Sequence, residues 1–154
     1  MYFKDKSKYS YDLPFKIDEV QNVGWLEKGI DFDTGETSLK FAEKILQIIG
    51  REEVNIMRGA HYCDLCNGDE KEQRLKFNNK NIFLGMAEIW IPSGDGSIIF
   101  AAPTLIYHYI TVHKYKPPEE FINSVNNFPI ASDWNGQKEY EKLINKYFKD
   151  FNKR

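Results

Sequence analysis

Phe83-Leu84-Gly85-Met86-Ala87-Glu88-Ile89-Trp90-Ile91, then Pro92-Ser93-Gly94-Asp95-Gly96, then Ser97-Ile98-Ile99-Phe100-Ala101-Ala102 is the stretch that decides the fold. Two apolar runs rich in β-branched and aromatic residues flank a cluster of turn formers. Pro presets φ, Gly admits positive φ, and Ser and Asp bond nearby backbone, so the pattern predicts a β-hairpin near residues 83–102. Both arms are apolar enough to be half or wholly buried, and the hairpin therefore needs cover from other elements.

Reading outward toward the C-terminus, Pro103 suits the first turn of a helix, and Leu105, Ile106, Tyr109, Ile110 and Val112 follow. Pro117-Pro118 forbids its continuation, so that helix ends near Lys114 with His113 in its last turn. A short helix is expected from Pro118 to about Val125. A final amphipathic one runs from Gln137 to about Phe151, with Tyr140, Leu143, Ile144, Tyr147 and Phe148 on one face. Toward the N-terminus, Leu39, Ala42, Ile45, Leu46 and Ile49 recur at helical spacing between the capping residues before Ser38 and a stop at Gly50. Glu53 to Arg58 reads as a short strand, Asn67 to Lys71 as loop, and residues 1–22, polar with scattered aromatics, as a possible irregular arm. The sum is one α+β domain over residues 1–154, a small, mainly antiparallel sheet packed with about four helices.

Cys63 and Cys66, the only cysteines, form a C-x₂-C pair just after His61, and His108 and His113 fall together some way downstream. Two thiolates on a tight turn plus two imidazoles from a helix match the ligand types and spacing of a tetrahedral Cys₂His₂ zinc site. Zinc would then be the cofactor, joining a strand-end knuckle to the helix beginning near Pro103. His108 and His113 stand about 140° apart on an ideal helix of 3.6 residues per turn, so a metal must sit between them. His61 is the substitute ligand for either. Beside this stands a plainer reading, in which reduced cysteines are small buried hydrophobes and histidines pack or face water.

A catalytic metal would keep three protein ligands and a carboxylate base nearby, for which Glu88 and Glu70 are candidates. Glu88 reads first as the solvent-facing member of an alternating strand. A thiol redox role for Cys63 and Cys66 would need a helix starting at the first cysteine to depress its pKa, and Asn67-Gly68-Asp69-Glu70 breaks the chain instead. Tyr107, Tyr109 and Tyr115 pack around the histidines or donate hydrogen bonds to metal ligands. Trp25, Trp90 and Trp134 read as core or lid residues.

Twenty-one basic against 23 acidic residues give a net charge of −2, with no global field to draw phosphate backbones or anionic lipid. Nucleic acid and membrane are therefore not expected partners, while a protein partner is. The opening residues lack the apolar stretch of a secretory signal, and no segment reaches the roughly 18 apolar residues of a membrane span. A cytoplasmic location is expected, where a Cys63–Cys66 disulfide would be kept reduced.

Taken together, Arg58-Gly59-Ala60-His61-Tyr62-Cys63-Asp64-Leu65-Cys66, Gly85-Met86-Ala87-Glu88-Ile89 and Ala101 through Phe121 carry a resemblance. The chain resembles an uncharacterised group of small bacterial proteins with an R-G-x-H-x-C-x-x-C segment and an A-P-x-L-I-x-H-Y-x-x-x-H-x-Y-x-P-P segment. The resemblance implies that both halves belong to one site and brings no activity with it. The expectation is a zinc-binding protein whose metal is structural and supports a protein-interaction surface. A zinc hydrolase with an open coordination position is the alternative, and a thiol redox protein the second.

Overall fold

A computed structural model describes residues 1–67 and 73–154. The architecture is α+β. A four-stranded sheet runs in the order β1 (Lys8–Tyr9), β2 (Ile17–Asn22), β6 (Ile99–Pro103), β5 (Glu88–Pro92), and a separate ribbon pairs β3 (Gln73–Phe77) with β4 (Lys80–Leu84). Helices α1 (Leu39–Arg51), α2 (Ile106–His113), α3 (Glu119–Asn127) and α4 (Gly136–Asn152) complete the described elements.

The expected hairpin is present as β5 and β6, antiparallel with Trp90 opposite Ala101 and Ile91 opposite Phe100. Its first arm is shorter than the apolar run suggests. Gly85 adopts φ +114°, which breaks the run, and Phe83-Leu84 end β4 in the other sheet. The larger sheet is mixed, because β2 lies parallel to β6 while β1 and β5 pair antiparallel with their neighbours.

Residues 1–22 are not an irregular arm throughout: they supply β1 and β2, with Tyr9, Ile17 and Val20 fully buried. Glu53–Arg58 is not a strand; among its residues only Val54 makes a bridge, to Glu88. Pro103 ends β6 rather than starting α2, a place where a missing N–H costs the ladder little. The loop expected over Asn67–Lys71 lies mostly outside the described residues.

Alternation along the hairpin divides the core in two. Ile89, Ile91, Phe100 and Ala102 face α1, α2 and α3 together with Phe41, Ile45, Ile106 and Phe121. Trp90 and Ala101 face the other way, against Tyr9, Tyr11, Trp25, Val54 and Leu143 of α4. A sheet covered on both faces explains why its central strands read as continuous apolar runs. Ser38 caps α1 by accepting from Phe41 N at 3.1 Å. Leu39, counted in the buried stripe by spacing, is 83% exposed in the first turn, and Phe41 and Ile48 enter the core with the rest of the stripe.

Candidate metal centre

The chain leaves residue 61 along the backbone of Gly85, with His61 N donating to Gly85 O at 2.8 Å, and then turns tightly through Cys63 to Cys66. The N–H groups of Leu65 and Cys66 point back at the Cys63 sulfur, the arrangement that lets a two-cysteine turn present both thiols on one side. Lys28 N donates to Asp64 Oδ1 at 3.3 Å, tying the turn to the segment after β2.

Opposite the turn stands α2. His108 lies inside it and is buried, while His113 occupies its last turn, where Lys114 in the left-handed conformation ends the helix. The separation around the helix axis is bridged by the side chains leaning inward, and the two imidazole centroids are 5.0 Å apart at 78°. Cys66 Sγ sits 3.2 Å from His108 Nε2 and 3.4 Å from His113 Nε2, and Cys63 Sγ 3.4 Å from His113 Nε2. One ligand atom from each of Cys63, Cys66, His108 and His113 lies within 4.8 Å of all the others.

These lengths have a natural scale. Metal bonds of about 2.3 Å to sulfur and 2.0–2.1 Å to nitrogen at the tetrahedral angle give an S···N edge of roughly 3.5 Å. Three of the four S···N separations are close to that edge and all four ligand atoms lie within 4.8 Å of one another, a spacing suited to one tetrahedral ion. Burial, followed by the proximity of His113, pulls His108 down to about 4, and burial also lowers His113, so both imidazoles are neutral at pH 7, the form that binds a metal. Burial, opposed by the two backbone N–H groups, pushes the Cys63 thiol up to about 11. A divalent cation would reverse that, since coordination deprotonates a thiol.

His61 is not among the four. Its Nε2 contacts the Tyr11 hydroxyl and its ring meets Tyr11 edge-on at 5.9 Å. Of the three tyrosines around the histidines, Tyr115 donates to Asp5 Oδ2 at 2.8 Å and is fully buried, so it packs and ties down the N-terminal segment. Tyr109 packs near the cysteines, and burial and then Cys63 raise its pKa. Trp25 and Trp134 bond the backbone carbonyls of Ala101 and Trp90, as core residues do.

Glu88 corrects an expectation. It is 2% exposed rather than solvent-facing, because the face it shares with Trp90 is covered by the N-terminal strands and α4. Tyr9 OH at 2.9 Å, Asn55 Nδ2 at 2.8 Å and Trp90 Nε1 at 2.9 Å all donate to its carboxylate. Burial outweighs these donors and holds Glu88 up to about 7. The only signal in the sequence was one acid in an apolar strand two residues before Trp90; Tyr9 and Asn55 carried none. Glu70, the other carboxylate considered, lies outside the described residues.

The raised pKa has a consequence for stability. Between the unfolded value of 4.5 and about 7 the unfolded chain has released the Glu88 proton and the folded one has not, so stability falls as pH rises through that window. At about 1.4 kcal/mol per pH unit the loss is on the order of 3 kcal/mol. Glu88→Gln has no such titration. Thermal melts are therefore expected to show the midpoint of Glu88→Gln gaining on wild type from pH 5 to 8, and a gap constant across that range would contradict the assignment.

The fold and the Cys₂His₂ group together define an α+β protein with a candidate metal centre built between a cysteine turn and a helix. The chain belongs to the family described as Domain of unknown function (DUF7919), whose model matches residues 1–126. That span contains all four clustered residues and Glu88, while α4 lies beyond it. No curated protein and no solved structure matches the chain. No helix among the described residues is long and apolar enough to cross a membrane.

Proposed function

We propose that this is a cytoplasmic, single-domain zinc protein in which Cys63, Cys66, His108 and His113 close the coordination shell of one structural ion. The observation that carries the reading is the convergence of these four ligand atoms within 4.8 Å, drawn from a turn and a helix far apart in sequence. Zinc is favoured because it takes two thiolates and two imidazoles without preferring another geometry, and a full protein shell leaves no position for substrate. Its role is to hold the turn against α2. Tyr62 and Val112, 54% and 56% exposed beside Cys63 and His113, then belong to a surface that the metal keeps in shape for a protein partner.

The hydrolase reading is weaker on two counts. A fourth protein ligand stands where water would bind, and Glu88 has its carboxylate oxygens engaged by three donors on the sheet face opposite Ile89 and the cysteine core. The redox reading lacks a helix at Cys63, whose residue is fully buried.

Elemental analysis of protein purified without added metal tests the proposal, using wild type and the single variants His61→Ala, His108→Ala and His113→Ala. About one zinc per chain is expected, as for a closed four-ligand site. It should be weakened by the His108 and His113 changes and retained in His61→Ala. Zinc that depends on only one histidine would favour an open, hydrolytic site, and freshly reduced protein without metal would overturn the reading.

A further inference from the structure

Beside the cysteine turn, past the start of β5, the fold forms a cavity of about 60 Å³ that opens to solvent past Met1 and Tyr62. Tyr11, Trp25, Asn55, His61, Glu88 and Tyr109 are among the residues lining it. Four of these are nearly inaccessible: Tyr11 is 3% exposed, Trp25 6%, Tyr109 4% and Glu88 2%. Tyr11 stacks on Trp25 with centroids 5.3 Å apart at 30°, and Trp25 is held by its bond to Ala101 O, so two of the aromatic walls are fixed in place.

Carboxylates stand out among the polar groups of this space, and the Met1 ammonium, also in the lining, is paired with Glu27 at 3.5 Å. Glu88 is buried with three neutral donors, and no cation pairs with it among the described residues. Its charge is felt at the Tyr11 hydroxyl, whose pKa is raised by burial, then Asp12, then Glu88. Asp64 adds a second carboxylate to the lining. With the proton of His61 on Nδ1, Nε2 accepts from Tyr11 OH, which leaves the hydroxyl oxygen free to accept from a ligand. Aromatic faces and carboxylates together attract cations, the first through the ring quadrupole and the second through charge. At roughly 10–15 Å³ for each water-sized group, the space takes about five of them.

We propose that this cavity binds a small organic ammonium ion, free or at the end of a larger molecule, with Glu88 as its counter-charge and Tyr11, Trp25 and Tyr109 as its aromatic walls. The site adjoins the metal turn through His61 and Asp64, yet none of its chemistry needs the metal as a ligand. A buried carboxylate held only by neutral donors is costly to keep charged, and a bound cation offsets part of that cost. A neutral molecule of the same shape would leave it in place.

Titration calorimetry of the zinc-loaded protein with tetramethylammonium and methylammonium chloride tests this, with tert-butanol and acetate as neutral and anionic controls. Zinc content is measured on the same samples, so a missing metal is distinguished from a missing ligand site. Saturable binding of an ammonium ion, with the Trp25 indole N–H resonance shifting in step, is the expected result. Glu88→Gln should weaken it about tenfold or more, the scale of losing one desolvated charge pair. Should that variant not fold, Met57→Trp, which narrows the cavity from a half-buried lining position, should abolish binding. The proposal is overturned if tert-butanol binds as tightly as tetramethylammonium, if a folded Glu88→Gln or Met57→Trp binds unchanged, or if no ammonium ion binds and the cavity holds only water.

Discussion

Chelating the metal, or replacing Cys66 by Ser, is expected to lower the thermal midpoint by roughly 8–16 °C. The estimate follows from mass action: an ion present at about 1,000 times its dissociation constant, and bound only by the folded chain, contributes ~4 kcal/mol. In a chain of this size 1 kcal/mol is worth about 2–4 °C. Cys66 is the more telling of the two cysteines because its sulfur lies within 3.4 Å of both histidine nitrogens. Ser offers a harder, shorter donor there, so zinc affinity should fall by more than about 100-fold, beyond what loss of a supporting partner costs. The protein should still fold, since α1, α2, α3 and the sheet share a core that extends well beyond the cysteines. Differential scanning calorimetry with and without chelator checks this, and a midpoint insensitive to metal removal would exclude a structural role.

Gly85→Ala is expected to cost about 3–5 kcal/mol, a large effect for a single residue outside the Cys₂His₂ group. Gly85 has φ +114°, which an L side chain rarely adopts, and an added Cβ would lie 2.1 Å from the backbone oxygen of His61. No rotamer change relieves that contact, because Cβ is fixed by its own backbone and the atom it meets is main chain. The same residue donates to Thr104 Oγ1 at 2.9 Å and accepts from His61 N, so it cannot retreat without losing both bonds. The segment leading into the cysteine turn must lift, and the variant should release zinc to a chelator faster as well as melting earlier. Gly59→Ala is the control. It meets nothing within 4 Å and should stay within about 0.5 kcal/mol of wild type. A Gly85→Ala protein that behaves like the control would contradict the described approach of the two segments.

Much of this was legible from local pattern. The helical stripe in α1, the double proline that ends α2, the turn residues between β5 and β6 and the two ligand pairs are each written within a short window of sequence. Gly85 carried a signal of its own, since glycine inside an apolar strand pattern marks a break or a close backbone approach. The first 22 residues misled because β1 is a two-residue edge strand too short to show periodicity, and β2 is fixed by pairing with β1 and β6 on either side rather than by its own pattern.

Sequence alone determined the chemistry available here: two thiols and three candidate imidazoles at spacings a tetrahedral ion accepts, and an apolar hairpin that demanded cover on both sides. Which histidines approach the cysteines was decided by tertiary structure, because His61 is nearer in sequence but is led away along Gly85 toward Tyr11. The fate of Glu88 was decided the same way. Alternation places it opposite Ile89, but only the docking of α4 and the N-terminal strands determines that this second face is dry, and with it that one carboxylate is buried among aromatic rings.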